Sequence, residues 1–151
     1  MAKISISYLS KYGNGKMAME KLSDLLSEYG HDVSISSVTD ITPDQIPKSD
    51  IYVFSTSVHA GKPPGKMRKF VGKLSREGGK YALVVTHLPE PKAKTPRWKK
   101  TEGIMNEALQ TAGLTPASEC LSLEVKGIKG PLEDGWEDKI KDLAESISYA
   151  L

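Results

Sequence analysis

Cysteine is nearly absent: Cys120 is the only one in 151 residues. No internal disulfide can form, so nothing argues for an oxidising compartment. A chain of this length can bury a core without staples, and one domain spanning 1–151 is expected. Long apolar runs are missing too, none approaching the roughly 20 residues that cross a bilayer. The opening MAKISISYLSKYG lacks the apolar core of a secretory leader. A cytoplasmic protein without a membrane span is the expectation. Histidines are few, and His31, His59 and His87 stand in neither HxxxH nor HExxH spacing, so no metal site is expected. No GxSxG elbow is present for acyl transfer. A charge excess of one sign is lacking as well: 21 Lys and Arg against 19 Asp and Glu leave +2, which disfavours nucleic acid as a partner.

What is there is an alternation of strand and helix patterns. Lys3 to Tyr8 (KISISY) and Asp32 to Val38 (DVSISSV) read as the first two strands. Ile51 to Ser55 (IYVFS) and Tyr81 to Thr86 (YALVVT) are near-continuous apolar runs, as in strands buried on both faces of a parallel sheet. Cys120 to Val125 (CLSLEV) alternates like an edge strand. Apolar stripes of helical period run through Ala18, Leu22, Leu25, Leu26 and Tyr29; through Met67, Phe70, Val71 and Leu74; through Ile104, Met105, Ala108, Leu109 and Ala112; and through Trp136 to Leu151. Between the second and third strands DITPDQIPKSD leaves room for one turn, started by Thr42 and Pro43. The whole predicts an α/β fold: a doubly wound, five-stranded parallel sheet of order 2-1-3-4-5 with helices on both faces. The first strand alternates although that order makes it central; serines facing a closely packed helix would account for it.

The stretch YLSKYGNGKMA admits several readings. A Walker A loop needs a hydroxyl after Gly-Lys to hold Mg²⁺, and here Met17 follows Gly15-Lys16. A dinucleotide fingerprint can be written from Gly13, Gly15 and Ala18. Three residues separate it from the strand, however, and the second strand ends in Ser36-Ser37 where an acid should meet the ribose. The third reading wraps Ser10 to Gly15 around a terminal phosphate, with backbone N–H groups pointing inward and a helix starting near Lys16. GNG could also be a plain strand-to-helix turn.

With Ser10, Gly13 and Asn14 in place, SKYGNG resembles the phosphate loop of the flavodoxin family, departing from it at Tyr12 and Gly15, where hydroxyl residues are usual. The resemblance extends over the whole chain. It implies an FMN cofactor whose phosphate is held by Ser10, Lys11, Tyr12, Gly13, Asn14, Gly15 and Lys16. It implies that Thr56, Ser57, Val58, His59, Ala60 and Gly61 wrap one side of the isoalloxazine ring, with Gly61 placed for the peptide flip that the family makes on reduction. His87, Leu88 and Trp98 would hold the other side, although Trp98 could equally anchor its loop to the protein body. The block SVHAG, the helix ending KFV and the loop PKAKTP look most like the short quinone-dependent protoporphyrinogen oxidases of this family.

Basic residues crowd the segments 62–76 and 92–100. Flavodoxins that dock with basic partners are acidic there, so this chain departs from that pattern. A positive rim would steer either a redox partner protein or a small carboxylate-bearing substrate to the loop 92–100. The resemblance therefore implies an FMN electron carrier. An oxidase of the branch just named and a flavin-free binding module are its rivals.

Overall fold

The computed structural model describes residues 2–90 and 95–151. The chain runs β1 (Lys3–Tyr8), α1 (Asn14–Glu28), β2 (Asp32–Ser37), a 3₁₀ turn (Pro43–Gln45), β3 (Ile51–Ser57), α2 (Gly65–Gly72), β4 (Lys80–His87), α3 (Arg97–Thr111), β5 (Thr115–Pro116), β6 (Leu121–Glu124) and α4 (Trp136–Tyr149). All strand pairings within the sheet are parallel, in the order β2-β1-β3-β4-β5, with β6 also on β4. The α/β fold and the strand order thus follow the sequence expectation, and among the described residues no helix is long and apolar enough to cross a membrane.

The period of two along the strands sorts their side chains into two cores. Ile4 and Ile6, Ile51 and Val53, Ala82 and Val84 pack against Met19, Leu22 and Leu26 of α1 and Ile140, Ala144 and Ile147 of α4. Tyr52 and Phe54, Tyr81, Leu83 and Val85 face the other way, onto Met67, Phe70 and Val71 of α2 and Met105 and Leu109 of α3. Helices therefore cover both faces. Two ends of the expected stripes lie outside these cores, since Tyr29 and Leu151 are exposed.

Three local features differ from the expectation. The fifth strand comes as two pieces, β5 opposite Lys80–Tyr81 and β6 opposite Val84–His87. From Pro116 to Leu121 the chain uses two more residues than β4 does between the same partners, so 117–120 bulge out and Cys120 sits in the bulge rather than at the strand's start. Burial pushes the Cys120 thiol well above the usual range, leaving it inert. Ser5 of β1 faces a loop rather than a helix. Ser5 Oγ meets Pro47 O at 3.2 Å and the Ser49 hydroxyl, so a polar loop covers this part of the sheet and satisfies the buried hydroxyl. Finally, Thr42 starts the 3₁₀ turn as expected, its N–H donating to Gln45 Oε1 at 2.9 Å.

Candidate functional site

Parallel strands deliver the loops that follow them to one end of the sheet. There a cleft of about 650 Å³ opens between the loop after β1, the turn after β3 and the end of β4, with Thr39 and Ile128 on its margins. Ligand clefts commonly span roughly 300–1,000 Å³.

The first loop leaves the sheet under control: Leu9 N–H donates to Ser55 O at 2.9 Å. Ser10 Oγ then accepts the Gly13 N–H at 3.1 Å and turns the chain back. Gly13 has φ +89°, a conformation that costs a residue with a Cβ about 1–2 kcal/mol. Helix α1 follows at once, its first bond running from Met17 N–H to Gly13 O at 2.9 Å. A helix start leaves its first N–H groups without intrahelical acceptors. Among the described residues, the N–H groups of Lys11, Tyr12, Asn14, Gly15 and Lys16 find no acceptor. Below them lies a second unmet polar group: Ser55 Oγ is fully buried with no partner among the described residues. A Cβ on Gly15 would stand 3.5 Å from that hydroxyl and 3.6 Å from Ser10 Cβ. The bare glycine keeps the concavity open. Donors on a positive helix end, above a spare hydroxyl, suit a phosphate.

The turn after β3 is a two-residue hairpin. His59 N–H donates to Lys62 O at 2.7 Å and Lys62 N–H to His59 O at 3.0 Å. Between them Ala60 has φ 51° and Gly61 φ 81°, the positive pair that a type I′ turn requires. Ser57, Val58 and His59 line the cleft; Thr56 is buried beneath it, donating to Ser57 O at 3.1 Å. Ala60 and Gly61 shape the turn without lining the cleft, and Gly61 lies under Lys100, whose Cδ would be 3.5 Å from a Cβ there.

At the end of β4, His87 and Leu88 line the cleft and Trp98 does not. The Trp98 ring stacks on His87 at 5.8 Å and 20°. His87 Nδ1–H donates to Leu88 O at 2.9 Å, which fixes the imidazole's other edge. Glu90 accepts the N–H groups of Arg97 at 2.6 Å and Trp98 at 3.4 Å, capping α3 from across the loop. Trp98 is thus the backing of His87 and the anchor of α3. Of the basic loop 92–100, Lys92 and Lys94 lie outside the described residues.

Of the phosphate-loop candidates, Ser10, Lys11, Tyr12, Asn14 and Gly15 line the cleft, while Gly13 and Lys16 do not. The sequence reading missed Leu9, Thr39, Pro64, Gly65, Lys66, Thr86, Val125 and Ile128, which line it as well. Thr39 and Ile128 follow the second and last strands, and parallel topology alone would have placed them at this end. Ser55 was read only as part of a buried strand.

The family model of flavodoxin matches residues 6–114. No curated protein sequence matches significantly. Among solved structures, the flavodoxin of Streptococcus pneumonia TIGR4 is similar over 99% of this chain and 100% of its own, with TM-score 0.80 and 19% identity. Flavodoxin 2 of Bacillus cereus gives TM-score 0.81 at 17% identity, covering 99% of this chain and 100% of that one. The Fusobacterium nucleatum flavodoxin, solved bound to flavin mononucleotide, gives TM-score 0.72 at 12% identity over 99% and 98% of the two chains.

Proposed function

The chain belongs to the flavodoxin family, and from that premise we propose that it holds FMN in the cleft and carries electrons between redox partners. The observation that carries the proposal is that the N–H groups of Lys11, Tyr12, Asn14, Gly15 and Lys16 find no acceptor among the described residues, with the orphaned Ser55 hydroxyl beside Gly15. A terminal phosphomonoester meets the needs of those N–H groups, and the backbone there requires no metal to hold it. Tyr12 and Gly15 stand where hydroxyl residues are usual in the family. Ser55 offers a hydroxyl from the strand below, which makes good part of that loss.

On this reading bound FMN supplies the one- and two-electron chemistry of its ring. Ser57, Val58 and His59 bind one side of the ring and His87 and Leu88 the other. Val58 and Leu88 exclude water from the ring, and Trp98 holds the His87 imidazole in one orientation. No residue of the cleft needs to act as a nucleophile, and the whole chain serves as one domain for this purpose.

The experiment is to add FMN to the purified protein and then NADPH with a ferredoxin–NADP reductase. Bleaching of the flavin band that depends on the reductase is the expected result. Bleaching by protoporphyrinogen alone would make the protein an oxidase. A protein that takes up no FMN would overturn the proposal.

A further inference from the structure

We propose that the rim of the cleft is a docking face for a redox protein whose own docking surface is acidic. The inference rests on the FMN reading for the electron it would pass. It rests on charge for the partner.

Five exposed lysines stand around the mouth. Lys11 and Lys66 line the cleft itself. Lys62 closes the hairpin that carries His59. Lys100 lies over that hairpin at Gly61, and Lys99 sits 5.6 Å from the centre of the Trp98 ring that backs His87. Among the described residues none of the five belongs to an ion pair. No Asp or Glu is among the described residues that line the cleft, whereas Lys11 and Lys66 are, and the nearby Asp134 is paired with Lys126 at 2.9 Å. The formal charges that line the opening are therefore those of the lysines.

Between these charges the mouth is apolar. Tyr12, Leu88 and Ile128 line the cleft and are exposed, Ile128 to 67%. A large apolar side chain held that far into water suits a surface that another surface covers. An apolar centre inside a ring of one charge is the anatomy of a protein interface, with the rim governing the rate of encounter. A small anion would use the lysines and leave Ile128 in water.

The test uses the FMN-loaded protein, reduced anaerobically, with three one-electron oxidants: acidic cytochrome b5, basic cytochrome c and ferricyanide. In each reaction one electron leaves the reduced flavin and one oxidant ion or haem iron is reduced. The rate with cytochrome b5 should fall at least tenfold between low and high salt, and the rate with cytochrome c should rise. Lys62→Glu/Lys100→Glu should cut the cytochrome b5 rate about tenfold at low salt while leaving the FMN content and flavin spectrum unchanged. A cytochrome b5 rate indifferent to salt or to the double substitution would overturn the proposal. An equal effect of the substitution on ferricyanide and on cytochrome b5 would also overturn it, assigning the rim to small anions. Failure to load FMN is seen before any oxidant is added and so counts against the FMN reading alone.

Discussion

At the scale of single residues, two positions beside the cleft carry local costs that the fold does not need. The Ser55 hydroxyl is buried without a partner, which costs about 1–3 kcal/mol relative to a satisfied or absent group. Ser55→Ala should therefore raise the stability of the FMN-free protein by roughly 1 kcal/mol. The same change should weaken FMN binding about tenfold, because a hydrogen bond to a charged phosphate is lost. Urea unfolding without flavin and a flavin titration read the two effects, and they have opposite signs only if the hydroxyl serves a ligand. Ala60 is the second cost. Its φ of 51° belongs to glycine or asparagine, and Asn-Gly is the preferred pair of a type I′ turn. Ala60→Asn should add about 1 kcal/mol to stability, read as a higher urea midpoint at unchanged slope.

Between elements, two contacts hold separate segments together. The Asn14 side chain at the start of α1 lies against the backbone of Gly130, so closely that a Cβ there would stand 2.5 Å from its Oδ1. Gly130 also has φ +101°. Gly130→Ala should displace Asn14 and lower FMN affinity several-fold although residue 130 is outside the cleft, and it should destabilise the protein by about 1–3 kcal/mol. A flavin titration beside a thermal melt separates these effects. The other contact is Glu133, which accepts the Glu124 N–H of β6 at 2.6 Å and pairs with Lys139 of α4 at 2.6 Å. Burial pushes its pKa up, but the hydrogen bonds from Lys139 and Glu124 and the positive charges nearby outweigh that and hold it below the ordinary value of 4.5. The folded form thus binds this proton more weakly than the unfolded chain. Its contribution is present above pH 4.5 and is lost as pH falls through the lowered pKa. Glu133→Gln should flatten the loss of stability below pH 4.5, measured as urea midpoints between pH 3 and pH 7 in about half-unit steps.

Across the whole molecule, the sheet was legible in the sequence where burial on both faces left continuous apolar runs, as in IYVFS and YALVVT, and those runs became β3 and β4. The edge was less so: the two surplus residues in 117–120 obey no periodicity, and only pairing with β4 reveals that β5 and β6 share one edge. Ser10, Asn14 and Gly15, which line the cleft, could be picked out because the loop that carries them is local in sequence. Ser55, the Asn14–Gly130 contact and the His87–Trp98 stack are tertiary, joining residues 11 to 116 positions apart, and no spacing rule signals them. FMN and riboflavin differ by the phosphate that the first loop is proposed to hold, so the direct measurement is a calorimetric titration of the purified protein with FMN and, separately, with riboflavin. One-to-one binding of FMN, at least a hundredfold tighter than riboflavin, is the expected result. Equal affinity for the two, or no binding of FMN, would contradict it.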